Sequence, residues 1–177
     1  MRIRKFKLLK KERLFDGFNK IDAYTFLLPN GKTKTFQIKT LDRDIAAIVA
    51  FTKDKKIILE KQYRIGPDKI VFEFPSGIIE KNEKPIEGAK RELLEETGYT
   101  GKFKKLFSYY DDSYDRIKTH LFIATDCEKV RNKLKLDDGE FIKTYLKDIK
   151  EVRKMLKEGK IRNFGVGYLA FDYLNLL

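Results

Sequence analysis

Apolar and polar residues alternate along Lys20 to Leu28 and again along Thr33 to Lys39, with Pro29-Asn30-Gly31 between them, which predicts a β-hairpin. The run Ile45 to Phe51 is almost wholly apolar and predicts a buried strand; Thr52 to Lys56 reads as a turn and Ile57 to Tyr63 as a second strand. A loop at Gly66-Pro67 and a short strand, Ile70 to Phe74, follow. Pro85 suits the first turn of a helix and Gly98 the position just past its end, so a helix is predicted from Pro85 to Thr97. Beyond it, strands are expected at Phe103 to Tyr109, Thr119 to Thr125 and Phe141 to Leu146. Polar loops at Asp111 to Arg116 and Leu136 to Glu140 separate them, and two helices, Lys147 to Glu158 and Ile161 to Leu176, complete the pattern. Strands and helices mixed in this order indicate α/β architecture, with a small β-unit at residues 1–44 and the main domain at 45–177.

The predicted helix carries the chemistry. Glu92 and Glu96 are four residues apart and Glu92 and Glu95 three apart, so three carboxylates share one side of the cylinder. Arg91, four before Glu95, can hold that carboxylate, but one arginine does not balance the group. A hard divalent cation does, because Mg²⁺ and Mn²⁺ prefer carboxylate oxygen. A solvated acidic face is the competing reading of such a run.

The stretch Gly77 to Tyr99, GIIEKNEKPIEGAKRELLEETGY, resembles the signature of the Nudix hydrolases without a gap: Gly, five residues, Glu, seven residues, Arg-Glu, apolar, any, Glu-Glu, any, Gly, apolar. Seven fixed identities recur by chance on the order of once in 10⁸ to 10⁹ starting positions. The resemblance implies an α/β/α sandwich with a mixed sheet over roughly Ile45 to the C-terminus. It also implies a metal site of Glu92, Glu96 and the Ser76 carbonyl, with Glu95 assisting. Glu83 fits a structural partner in the loop better than a ligand. An acidic loop after the helix supplies a general base in similar enzymes, and Glu140 in Asp137-Asp138-Gly139-Glu140 is the best match.

Glu60-Lys61-Gln62-Tyr63-Arg64 followed by Glu73-Phe74-Pro75-Ser76-Gly77 is similar to the ADP-ribose pyrophosphatase branch. That similarity implies that Arg64 contacts substrate phosphate. It further implies that an N-terminal β-domain is exchanged across a homodimer, with Phe18 and Phe36 at positions where aromatics sandwich an adenine. Ordinary sheet packing is the alternative for both rings. One departure concerns the substrate: Asp112-Ser113 stands where members specific for ADP-ribose carry Pro-Gly.

Composition adds boundaries. The 177 residues, 42% hydrophobic and 37% charged, describe a globular chain able to bury a core. No run is long enough to span a bilayer, and the basic N-terminus MRIRKFKLLKK lacks the apolar stretch of a signal peptide, so a cytoplasmic protein is expected. The net charge of +12 favours anionic ligands, but the lysines are spread along the chain rather than interleaved with aromatics in one stripe, which argues against a nucleic-acid surface. Cys127 lies in an apolar run and reads as a packed thiol, and His120 as a core histidine. A His-based zinc site is excluded, since no second histidine exists. Gly165-Val166-Gly167-Tyr168-Leu169-Ala170 mimics a dinucleotide loop, but no strand precedes it.

The expected activity is therefore Mg²⁺-dependent, with Mn²⁺ as an alternative ion. It is hydrolysis of a nucleoside diphosphate sugar, foremost ADP-ribose to AMP and ribose 5-phosphate. In that scheme Glu140 accepts the proton, Arg91 orients Glu95, and Arg64 offsets charge on the phosphate. The rivals are GDP-mannose or a capped RNA end as substrate, and a binding module that kept the fold without the chemistry. The intact set Arg91, Glu92, Glu95 and Glu96 argues against the last.

Overall fold

The computed structural model describes residues 3–177; Met1 and Arg2, which open the basic N-terminal run, lie outside the described residues. Two compact units make up the chain. One comprises the segment up to Asp44 together with Tyr109–Lys118, and the other Ile45–Ser108 with Thr119–Leu177. Among the described residues no helix is long and apolar enough to cross a membrane.

The first unit is a three-stranded antiparallel sheet in the order β1 (Lys7–Asp16), β2 (Lys20–Leu27), β3 (Thr33–Thr40). The β2–β3 turn falls where Pro29-Asn30-Gly31 places it: Gly31 adopts φ 79° and donates its N–H to the Leu28 carbonyl at 3.0 Å. Strand β1 has no counterpart in the hydrophobic pattern. Every one of its ten residues is exposed, and register shifts at Leu8/Lys10 and Arg13/Phe15 break the alternation by which a strand is recognised. It is tied to β2 through Asp22, whose fully buried carboxylate pairs with Arg13 and with Lys11 at 3.0 Å. Asp111 to Arg116, expected as a loop, joins this unit: Lys39 N–H donates to the Tyr114 carbonyl at 2.8 Å, and Arg116 N–H donates to the Lys39 carbonyl at 3.0 Å. The Arg116 guanidinium stacks 4.1 Å from the Tyr24 ring.

The second unit is built on a mixed sheet of order β10-β5-β4-β9-β8. Its strands are β4 (Ile45–Thr52), β5 (Ile57–Arg64), β8 (Tyr99–Tyr110), β9 (Lys118–Lys129) and β10 (Lys143–Lys147), with β6 (Lys69–Glu73) on β5 and β7 (Ser76–Ile78) on β4. β4 runs parallel to β9 and antiparallel to β5. Because β4 is covered on both faces, it reads as a continuous apolar run. Ala46, Ile48 and Ala50 enter a core with Ala89 and Leu93 of helix α1 (Pro85–Thr97) and with Phe122 and Ala124 of β9. Successive side chains point to opposite faces; helix α3 (Phe164–Tyr173) also packs on β4 and touches α2 (Ile149–Lys157), giving the expected helix-sheet-helix layers.

Several boundaries differ from the pattern, three of them at the start of an element. β8 starts at Tyr99, directly after α1, rather than at Phe103, and β10 starts at Lys143, leaving Phe141 83% exposed outside the strand. Ile161 is a bridge partner of Phe72, so α3 begins only at Phe164. The Gly165–Ala170 segment lies inside that helix. Gly167 is where Phe74 and Leu156 press closest, since a Cβ there would lie 2.6 Å and 2.8 Å from them, so the dinucleotide-like spacing serves packing.

Candidate active site on helix α1

Helix α1 keeps the bounds that Pro85 and Gly98 imply. Glu87 accepts the Lys84 N–H at 3.1 Å at one end, and Gly98 at φ 78° returns its N–H to the Leu94 carbonyl at 3.0 Å at the other. The helix seats Leu93 and Ala89 in the core, which turns Glu96 inward to β7, sets Glu92 beside Gly77 and leaves Glu95 against Lys135. Glu96 is 3% exposed, and its carboxyl accepts the Ser76 N–H at 3.2 Å. Ser76 and Gly77 themselves lie on β7 against Ala47 and Ala46.

Arg91 is the hub of the cluster. It donates to both oxygens of Glu83 at 3.0 Å, to Glu92 at 2.7 Å, to Glu95 at 3.2 Å and to the Ile78 carbonyl at 2.8 Å. Glu83 also accepts the Glu80 N–H at 2.9 Å, so it braces the arginine within the loop. The Glu83 carboxyl is held below its ordinary range chiefly by Arg91. Glu95 takes Lys135 at 2.8 Å as well as Arg91; burial raises its carboxyl, but these two cations outweigh it and leave it lowered. Glu92 lies deeper. Burial dominates over Arg91 there and pushes its carboxyl up to about 7.

Sequence reasoning passed over Glu60. It lies on β5 among Ile57, Ile58 and Leu59, is 1% exposed, and meets Glu96 in a hydrogen bond between the two carboxyls. Burial, with the neighbouring carboxylates, raises both groups well above the ordinary range. The only signal for Glu60 was a charged residue directly after the apolar run Ile57-Ile58-Leu59. Glu140 stands at the rim: its carboxylate accepts the Asp137 N–H at 3.1 Å, Gly139 turns at φ 92°, and its charge acts on Glu60, Glu92 and Glu96.

Arg64 is placed by Glu73, which it contacts at 2.6 Å through Nη2 and 2.9 Å through Nε. The same fully buried carboxylate also binds Gln62 at 2.6 Å and Arg162, a residue that no motif signalled. Next to it, Asn163 acts as a one-residue strand partner: it accepts the Phe74 N–H at 2.9 Å and donates to the Phe74 carbonyl at 3.0 Å. These contacts fix the turn from β6 into β7 on which Ser76 and Gly77 sit.

Phe36 and Phe18 lie in the first unit. Phe36 faces Tyr24 across β2–β3, with ring centroids 6.0 Å from Phe26 and 6.3 Å from Tyr114. Phe18, 75% exposed, occupies the β1–β2 turn beyond the Lys20–Thr40 pair, so four residues of strand, ~13 Å, separate the two levels. Asp112 and Ser113 line an open cleft of the same unit with Tyr110, Asp111, Asp115 and Arg116. Elsewhere, His120 is buried against Ser108 Oγ at 2.8 Å, and burial pushes the Cys127 thiol up to about 11.

Buried carboxylates in excess of their cations form a donor set for a hard divalent ion. Glu60 Oε1 is buried and receives no hydrogen bond, and the absence of a side chain at Gly77 makes room for the Glu92 carboxyl. Among the described residues no three Asp, Glu, His or Cys side chains already stand as a closed ligand set, since Arg91 draws Glu92 and Glu95 while Glu60 holds Glu96.

The NUDIX domain profile matches residues 41–164, and the chain belongs to the Nudix hydrolase family. It is 34% identical over 175 residues to the ADP-ribose pyrophosphatase of Bacillus subtilis (strain 168), covering 96% of this chain and 92% of that protein. It is 33% identical over 174 residues to the methanol dehydrogenase activator of Bacillus methanolicus, with the same coverage. A crystal structure of an ADP compounds hydrolase superposes with TM-score 0.81 over 100% of both chains at 19% identity, which shows the shared fold.

Proposed function

We propose that this protein hydrolyses the diphosphate bond of a nucleoside diphosphate sugar, with ADP-ribose cleaved to AMP and ribose 5-phosphate. The observation that carries this reading is the carboxylate cluster on α1, with Glu92 and Glu95 gathered on Arg91 and Glu96 buried, inside an unbroken family signature. The near full-length similarity to an ADP-ribose pyrophosphatase supports the substrate class.

A divalent cation, Mg²⁺ or Mn²⁺, would supply Lewis-acid charge at the diphosphate and lower the pKa of the attacking water. Glu92, Glu96 and the Ser76 carbonyl are the groups that would hold it, with Glu95 assisting. Arg91 serves the site by orienting Glu92 and Glu95. Glu140, at the rim and held by its own turn, would take the proton from water. Arg64, oriented by Glu73, presents positive charge toward the phosphate. Water adds to one phosphorus, the bridging P–O bond breaks, and two phosphomonoesters leave.

The test is release of phosphomonoester from ADP-ribose, GDP-mannose and a capped RNA end, each with Mg²⁺ and with EDTA. ADP-ribose should be turned over at least tenfold better than the other two, and only with the metal. Equal rates with EDTA, or no turnover of any nucleoside diphosphate sugar, would overturn the reading. Homodimerisation through the N-terminal unit belongs to the same proposal. Its edge strand β1 exposes Leu8, Leu9, Leu14 and Phe15, a surface that a second copy would cover. A strictly monomeric active species in sedimentation at micromolar concentration would remove it.

A further inference from the structure

Position 60 is built for an apolar side chain. It follows Ile57, Ile58 and Leu59, each fully buried, in the strand beside the central β4, and Glu60 is itself 1% exposed. A carboxyl in such a place costs several kcal/mol unless its oxygens find partners. Glu60 Oε1 is buried and receives no hydrogen bond from a donor group, and the group beside Glu60 is the Glu96 carboxyl. Its cross-strand neighbours are Glu73 and Thr144, and the Glu73 carboxylate is committed to Gln62, Arg64 and Arg162. The arginines nearest in sequence are thus directed at Glu73, and the hub Arg91 is directed at Glu83, Glu92 and Glu95. The groups whose charge reaches Glu60 are Glu73, Glu96 and Glu140 on the acidic side and Arg64 on the basic side.

A buried carboxyl oxygen that receives no hydrogen bond, set beside a carboxylate that the family signature supplies, is a donor suited to a hard cation. We infer that Glu60 is a further ligand of the divalent-cation site, giving a carboxylate oxygen from strand β5 to the ion held by Glu92 and Glu96 from helix α1. The inference rests on the metal site of the proposed function and adds a second secondary-structure element to it. With ligands on both the strand and the helix, the ion clamps α1 to the sheet, so metal affinity and the seating of α1 depend on each other.

The competing role for Glu60 is purely structural, a carboxyl that fixes the Glu96 side chain. Glutamine serves that role equally, since its amide can still hydrogen-bond Glu96 in the same volume. Mn²⁺ binding to EDTA-stripped protein, read from the EPR signal of free Mn²⁺, separates the two without any need for turnover. Glu60→Gln should bind Mn²⁺ about 10–100-fold more weakly than the wild type. Glu60→Leu should lose affinity to the same degree while melting, metal-free, no lower than the wild type, because an apolar residue suits the site. Glu96→Gln is the reference and should also lose at least ~10-fold. If Glu96→Gln loses affinity while both Glu60 variants stay within twofold of the wild type, Glu60 is only structural and the inference falls. If Glu96→Gln itself binds Mn²⁺ like the wild type, the cation lies elsewhere and the proposed metal site falls with it.

Discussion

Gly77 and Glu92 share one small volume: a Cβ built on Gly77 would lie 2.1 Å from the Glu92 carboxyl carbon and 2.3 Å from each of its oxygens. The glycine of the signature therefore serves the carboxylate rather than the backbone. Gly77→Ala should displace Glu92 and lower kcat/KM by at least ~10-fold, the loss of a group proposed to hold the cation. The melting temperature should change little, since Gly77 is not among the positive-φ residues. Unaltered kcat/KM in a folded Gly77→Ala protein would show that Glu92 need not occupy this position.

Arg91 spends its planar fork on three carboxylates and a carbonyl, a geometry that an ammonium group cannot reproduce. Arg91→Ala leaves Glu83 and Glu92 without their cation inside a partly buried cluster, at a cost of up to ~3–5 kcal/mol. At ~2–4 °C per kcal/mol for a chain of this size, Tm should fall by roughly 6–20 °C. Arg91→Lys should recover less than half of that loss. Full recovery by lysine in calorimetry would show that charge alone matters there.

The carboxyl of Glu92 is pushed up to about 7 in the folded protein against an ordinary 4.5. A carboxyl that binds its proton more tightly when folded stabilises the fold below pH 4.5; that contribution is lost as pH rises through 7. At ~1.4 kcal/mol per unit, the loss is up to ~3 kcal/mol for Glu92, with Glu60 and Glu96 acting in the same direction. Metal-free protein should therefore melt at a lower temperature at pH 8 than at pH 5. Added Mg²⁺ should narrow that difference, because it binds the ionised groups. A Tm of the metal-free protein that rises from pH 5 to pH 8 would contradict this assignment.

Phe36 sits in a cluster with Tyr24, Phe26 and Tyr114, yet is only half-buried. If its ring stacks on the adenine, Phe36→Ala should raise KM for ADP-ribose by roughly 5–100-fold, from ~1–3 kcal/mol of stacking, with a small change in Tm. A fall in Tm of ~6 °C or more with KM unchanged would return the residue to sheet packing.

Much of this protein is written in local patterns. The bounds of α1 follow from Pro85 and Gly98, whose backbone preferences act within one turn. The buried strands β4 and β9 follow from apolar runs that only a covered sheet accommodates. The side of the helix that bears Glu92, Glu95 and Glu96 follows from the 3.6-residue period alone. Strand β1 was not legible, because its two register shifts erase the alternation and its pairing with β2 is a property of the partner strand. Nor was the role of the Asp111–Arg116 loop, which depends on meeting Lys39 some seventy residues earlier in the chain.

The carboxylate cluster divides in the same way. Its helical half is a matter of spacing, but the presence of Glu60 beside Glu96, of Arg162 on Glu73 and of Glu140 at the rim required the sheet and helix to be packed together. Spacing within one helix is set by bonded geometry, so sequence alone determined it. Which charge lies against which across elements is set by burial, where a carboxyl's cost depends on everything around it, and that only the tertiary structure decided.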